Sequence, residues 1–420
     1  MLRIDRICSI LFIIAFALII PSVKLATFID ELIAGLLGTV AIADCLFNNA
    51  WRRYTLLWVI IAIMTFYAGY SIIFLHYNTP AAILSDWIIQ LKPYVPFAVF
   101  LAIRPVLSGE DKQWLRIIAI VNAVICLISF ILPMSFMTQV MGHVYFAGIV
   151  LLLSATIYAY TSGITLRYPR NVIVIVGMLA TGLLCGRSKY FGEFVVAVFF
   201  LFFYTRTLYK GMTWQRRIII FTIPLLIFAV GWSKFSYYFL TGESATYDPS
   251  VIESYARPVL YATGALILIN KLPFGSGLAS FASWSSTDPY SSLYHEYRIS
   301  SVYGLSPANP TFICDAFYPS LAQFGIIGVI LFTAFWIYVI RLLKKLIRSN
   351  PVENRLYFAC GWIIVITILI ESIASTTFVQ TAGMWAMMLL GIICAKAESI
   401  EESLTIKDVD NEKQRVLQRN

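Results

Sequence analysis

Twelve stretches of this chain are apolar over about the length an α-helix needs to cross a bilayer, roughly 20 residues. They lie near residues 7–23, 31–47, 54–75, 82–103, 116–134, 140–162, 171–186, 190–205, 216–233, 318–342, 355–375 and 377–395. Inside hydrocarbon a backbone N–H or C=O finds no water, so such segments fold as helices that satisfy their own polar groups. Only 13% of the 420 residues are charged, about half the share of a soluble domain. The expected fold is an all-α polytopic membrane protein of about 12 transmembrane helices.

The loops orient these spans. With the N-terminus inside, 23 of the 31 Lys and Arg residues fall on the cytoplasmic side, Lys92 falls within span four, and seven remain outside. Reversing the chain would reverse this bias, so both termini are expected in the cytoplasm. The first segment follows Met-Leu-Arg-Ile-Asp-Arg without a convincing small-residue cleavage site, and reads as an uncleaved span. The organisation is then spans one to nine over 1–234, one large extracytoplasmic loop over 235–317, spans ten to twelve over 318–395, and a charged cytoplasmic tail over 396–420.

The net charge of +9 is spread over short loops between apolar spans, a pattern that orients a membrane protein rather than binding nucleic acid. Seven scattered cysteines show no CxxC or paired spacing, so neither a metal site nor a disulfide framework is indicated. Asp408-Val409-Asp410 resembles a metal-binding DxD, but its surroundings read as a solvated tail and not as a nucleotide-binding domain. No metal or cofactor is expected. No internal repeat is visible, which counts against a two-fold transporter.

The segment from Lys234 to Phe317 is the one long polar and aromatic interruption. It carries Arg257, Lys271, His295, Arg298 and Asp315. Basic groups on the outer face run against the usual bias and point to an anionic ligand. Residues 253–271 suit a helix along the membrane surface, with Arg257 in its first turns near the positive end of the helix dipole. The turn Pro273-Phe274-Gly275-Ser276-Gly277 follows, fit either for close backbone approach to a ligand or for simple loop closure. Phe281, Trp284, Tyr290, Tyr294, Tyr297 and Tyr303 suit either the membrane interface or stacking on sugar rings. His295 is the loop's one histidine, catalytic or incidental.

A second outer cluster is Gly186-Arg187-Ser188-Lys189. Helical spacing allows Glu193 to pair with Lys189 and leaves Arg187 free. Two guanidinium forks, Arg187 and Arg257, suit a diphosphate because each binds phosphate oxygens bidentately. Lys92, in Gln90-Leu91-Lys92-Pro93-Tyr94-Val95-Pro96, is an intramembrane cation. It either contacts a ligand or pairs with Asp86 or a carbonyl freed by the prolines.

Three of these features resemble the O-antigen ligase / O-antigen polymerase superfamily of bacterial membrane glycosyltransferases. They are the Arg-Ser pair at Arg187, the arginine ahead of a Pro-Phe-Gly-x-Gly turn from Arg257 to Gly277, and Cys314-Asp315 ahead of Gly325-Ile-Ile-Gly328. With the twelve spans and the late outer loop, the resemblance covers nearly the whole chain. It implies an undecaprenyl-diphosphate-linked glycan donor, a glycan acceptor, metal-independent transfer, and residence in the bacterial cytoplasmic (inner) membrane. Working alone and working with a chain-length regulator are both open to such a protein.

Carried over by motif, Arg187 and Arg257 become the diphosphate clamp, with Lys92, Lys189 and Arg298 assisting. Ligases of the superfamily carry a His-Asn pair ahead of the Gly-x-x-Gly. Here Cys314-Asp315 stands there, so Asp315, or else His295, is expected to handle the proton. That departure favours polymerisation of lipid-linked repeat units. The alternatives are ligase-type transfer of the finished glycan to a lipid or protein, and a flippase or exporter of the same lipid-linked glycan.

Overall fold

The computed structural model describes residues 4–25, 27–163, 168–205, 256–349 and 354–417, with the single residues Trp214, Thr222, Trp232 and Ser236. The expected ninth span, 216–233, and the start of the outer segment, 235–255, lie outside the described residues but for Thr222, Trp232 and Ser236. Among the described residues the structure is helical, without a strand. The longer helices run Ile4–Ala17, Ile29–Asn48, Thr55–Tyr70, Pro80–Leu91, Tyr94–Ile103, Gly109–Ile131, Met134–Met141, Val144–Ser162, Pro169–Leu183, Ser188–Val198, Ala256–Asn270, Gly325–Ser349, Arg355–Glu371 and Thr381–Leu417.

Among the described residues, five helical stretches are long and apolar enough to cross a membrane: Trp51–Leu75, Gly109–Ile131, Val144–Ser162, Tyr318–Ile347 and Thr381–Ser399. The pair Pro80–Leu91 and Tyr94–Ile103, bent by 42°, makes a sixth if counted as one. This is the architecture of a helical membrane protein. Other expected spans are helical but short, as in Pro169–Leu183, or change character, as where Ser188–Val198 passes into a π-helical turn at Phe199–Tyr204.

Burial divides the helices into two classes. Val144–Ser162 is 89% buried and Thr381–Ser399 is 83% buried over their apolar windows, whereas Trp51–Leu75 is 17% buried. The first two form the centre, and the perimeter helices turn apolar side chains outward, as lipid-facing helices do. Trp385 stacks on Phe12 and Phe16, with ring centroids 5.2 and 4.3 Å away. A side chain at Gly391 would meet the Phe97 carbonyl oxygen at 2.8 Å, so the glycine lets the last helix close on Tyr94–Ile103.

The bend between Pro80–Leu91 and Tyr94–Ile103 falls at Lys92-Pro93, where the proline removes a helical N–H. Lys92 pairs neither with Asp86 nor with a freed carbonyl there. Its ammonium lies 2.7 Å from Asp30 Oδ2 and 2.5 Å from Glu31 Oε1. A buried cation needs a close anion, and the start of helix Ile29–Asn48 supplies two.

The segment from Ala256 to Cys314 has its own apolar core, built from Phe281, Leu293, Tyr294, Ile299, Leu305 and Ile313 with the buried face of helix Ala256–Asn270. That helix does not merely lie along a surface. Val259, Leu260, Gly264 and Ile267 are buried, Gly264 approaches Pro319, and Tyr261 donates to the Ile373 carbonyl at 2.8 Å.

The loop is seated on the bundle by its glycine turn. Gly275 and Gly277 both have φ +78°, and Gly325 has φ +62°. A Cβ on Gly275 would lie 2.3 Å from the Ala322 oxygen and the Gly325 nitrogen, and one on Gly325 would lie 2.3 Å from the Pro273 oxygen. The two turns press backbone against backbone. Ser276 and Gly277 donate their N–H groups to the Ala322 and Gln323 carbonyls at 3.2 and 2.8 Å. Leu278 donates to Ser71 Oγ and Ala279 to Asp86 Oδ2, both at 2.7 Å. Asn78 donates its amide to the carbonyls of Ala279, Ser285 and Pro289. The glycines therefore serve packing.

Gly275→Ala and Gly325→Ala each combine a left-handed backbone with a backbone clash, and are expected to cost about 2–4 kcal/mol. Gly186→Ala has the same backbone handicap (φ +62°) in open space, and should cost only about 1 kcal/mol. Thermal midpoints of the detergent-solubilised variants check the order; equal midpoints for Gly275→Ala and Gly186→Ala would refute the seating.

Candidate functional site

The turn that carries Arg187 and Lys189 is held by Tyr190. Its ring fills a notch formed by two glycines: a Cβ would lie 2.0 Å from the ring at Gly182 and 3.0 Å from it at Gly148. Its hydroxyl donates to the Leu179 carbonyl at 2.9 Å. The side chain thus fixes the start of helix Ser188–Val198 against helices Val144–Ser162 and Pro169–Leu183, and sets where Arg187 and Lys189 project.

Lys189 does not pair with Glu193. Its ammonium lies 2.5 Å from Glu371 Oε2, at the end of helix Arg355–Glu371, and 4.7 Å from the centre of the Tyr145 ring. Glu371 also accepts from Thr377 Oγ1 at 2.9 Å. Glu193 is buried beside Glu371. The expected one-turn pair gives way to a long-range one because Glu371 reaches Lys189 across the bundle.

Arg257 stands at the second position of helix Ala256–Asn270 and forms an ion pair with Asp315. Both side chains are partly buried. Burial pushes the Asp315 carboxyl above the ordinary carboxylate range; Arg257, and the fields of Lys189 and His143, oppose this but do not outweigh it. Arg257, Lys189 and Asp315, from three distant parts of the chain, therefore belong to one cluster.

His143 joins the cluster from the residue just before helix Val144–Ser162. Its Nε2 lies 3.2 Å from Arg187 Nη2, and its Nδ1 accepts the Tyr145 N–H at 3.2 Å. Neither His143 nor Glu371 is among the expected site residues. The available signal was positional: the N-inside topology puts the start of span six and the end of span eleven on the same side as Arg187 and Arg257.

Other expected residues stand elsewhere. Lys92 is committed to Asp30 and Glu31. His295 is exposed and packs edge-on against Tyr290, and Arg298 is exposed with φ +56°. Among the described residues neither side chain bonds to the cluster. Cys314 is half-buried within the loop. The aromatic run divides: Phe281 and Tyr294 are fully buried in the loop core, while Trp284 is 70% and Tyr303 69% exposed. The latter two offer the most exposed rings of the run to a sugar, with Tyr290 and Tyr297 partly exposed.

An apolar groove of about 250 Å³ runs between helices Thr55–Tyr70 and Gly325–Ser349. Val59, Ile63, Tyr67, Leu331 and Phe335 line it, as does Phe317, two residues beyond Asp315. Its apolar lining suits a hydrocarbon chain.

The raised Asp315 carboxyl has a definite pH signature. Between the unfolded value of about 4 and the higher folded value, the folded state holds the proton more tightly. The group's contribution to stability therefore falls as pH rises through that window and is constant above it. Asp315→Asn removes this term, so its thermal midpoint should gain on the wild type across the window and then run parallel. A difference independent of pH from 4 to 8 would contradict the assignment.

The Lys189–Glu371 pair, nearly closed to solvent, should show a coupling of about 1–3 kcal/mol in a double-mutant cycle of Lys189→Met and Glu371→Gln. Additive losses would mean that the two groups are not paired.

No protein-family model matches this chain, and no curated protein matches it.

Proposed function

We propose that the protein is a membrane glycosyltransferase that polymerises undecaprenyl-diphosphate-linked oligosaccharide repeat units of a surface polysaccharide. The reading includes twelve spans, cytoplasmic termini, and work at the outer face of a bacterial cytoplasmic membrane. One observation carries it: Arg187 beside His143, Lys189 and the Arg257–Asp315 pair draw together from distant parts of the chain. Three cations, with Glu371 holding Lys189 and Asp315 holding Arg257 in a partly buried site, suit a reaction that expels an anionic leaving group and moves one proton. The apolar groove beside Phe317 supports the same reading, because it suits the isoprenoid tail of such a donor.

The chemistry follows from these groups. An acceptor hydroxyl attacks C1 of the donor's reducing-end sugar, and the bond from C1 to the diphosphate oxygen breaks. The bonding pair leaves with the diphosphate, whose growing charge the Arg187 and Arg257 guanidiniums stabilise. The hydroxyl proton passes to Asp315, whose raised affinity for a proton suits a base. His295, exposed on the loop, is the weaker candidate for that role. Trp284 and Tyr303 offer the acceptor sugar ring faces to stack on.

Arg257→Ala and Arg187→Ala should each reduce polymer formation by about 100-fold or more, with Arg257→Lys intermediate because an ammonium lacks the bidentate fork. Gel analysis of surface polysaccharide in a deletion strain reads this directly. Full-length ladders from both alanine variants, at wild-type protein levels, would overturn the clamp. Variants that leave a single repeat unit on the final acceptor mark a polymerase. Long chains retained on the lipid carrier would instead mark a ligase, the alternative reading.

A further inference from the structure

His143 faces a fixed donor at each of its two ring nitrogens. A neutral imidazole has one N–H and one lone pair in its plane. The Tyr145 backbone N–H is a fixed donor and points at Nδ1 from 3.2 Å, so Nδ1 is assigned as the acceptor and Nε2 as the N–H. Nε2, however, faces Arg187 Nη2 at 3.2 Å, and a guanidinium only donates. Two donors confront each other across this contact. Among the described residues Arg187 has no carboxylate partner, and the contact is open to solvent.

The neighbouring groups do not relieve it. Lys189 and Asp315 both face His143 through space, but Lys189 is engaged by Glu371 and Asp315 by Arg257. Tyr145 organises the corner: its N–H sets the His143 tautomer, its ring lies under Lys189, and its hydroxyl donates to Gln380 at 3.3 Å. An oxyanion seated at the edge of this corner accepts from Nε2–H and from Arg187 together and removes the conflict.

We infer that His143 is a neutral hydrogen-bond donor of the anion site, sharing one diphosphate oxygen with Arg187. This rests on the diphosphate reading above and adds to it a binding residue that acts by donating a proton in a hydrogen bond, not by accepting one.

The test uses the full chain in phosphatidylcholine nanodiscs with inorganic pyrophosphate as the probe, read by calorimetry. His143→Ala should weaken binding about tenfold, the scale of one hydrogen bond to a charged acceptor, while His143→Gln, which keeps an N–H, stays within about threefold of wild type. Should His143→Ala aggregate, His143→Phe fills the ring's volume without a donor and should show the same loss. Wild-type affinity in His143→Ala beside weakened Arg187→Ala and Arg257→Ala would overturn the inference and leave the diphosphate reading standing. Equal losses in the glutamine and alanine variants would also overturn it. No binding by the wild type would sink both. Binding lost in phosphatidylglycerol nanodiscs would assign the site to a lipid headgroup instead.

Discussion

The backbone contact between Gly275 and Gly325 positions everything outward of the bundle. Two turns with left-handed residues meet with no side chain between them, and the N–H groups of Ser276 and Gly277 close onto Ala322 and Gln323. That seat lies just after helix Ala256–Asn270, so it ties the helix that carries Arg257 to the bundle. The same seat leads directly into helix Gly325–Ser349, so the loop and a long apolar helix share one joint. Asp86 and Asn78 then hold the following backbone from the opposite side, by accepting from Ala279 and by donating to three carbonyls.

Around this frame the charges are arranged by distance and by access to water. Lys92 and Lys189 are held by carboxylates in places largely closed to solvent, where breaking the pair is costly. Arg187 sits at an exposed edge beside a histidine instead of an acid. Arg257 lies between these cases, paired with a carboxylate that burial makes reluctant to ionise. The cations of the cluster are therefore held differently: Lys189 and Arg257 pair with carboxylates, while Arg187, among the described residues, stands beside a histidine.

How much of this could be read from the chain depends on the range of the interaction. Apolar length is a local property, and the expected segments outside 216–233 are helical, though several are too short to cross a membrane alone. The glycines of the Pro-Phe-Gly-x-Gly and Gly-x-x-Gly motifs were recognisable as special. That they press on each other was not, because a positive φ says nothing of its partner. Lys189 shows the limit: helical spacing points to Glu193, whereas the partner is Glu371, 182 residues away. His143 escaped notice because a lone histidine at a span edge gains meaning only when Arg187 is seen beside it. The aromatic run reads as interface or sugar-stacking residues, but residue type alone does not tell Phe281 and Tyr294, which build a core, from Trp284 and Tyr303, which are exposed.

The outer loop has a core of its own and meets the bundle through a small set of backbone seats. Its exposed rim, where Trp284, Tyr303, His295 and Arg298 stand, takes no part in either. Substitutions at Trp284 and Tyr303, whose side chains are largely exposed, are thus less coupled to the fold than those in the core. The joint at Gly275 and the notch at Tyr190 must stay nearly invariant for the charges to meet, while the rim is free to diverge. A lineage of such proteins would keep one conserved chassis and exchange its outward recognition surface at little structural cost.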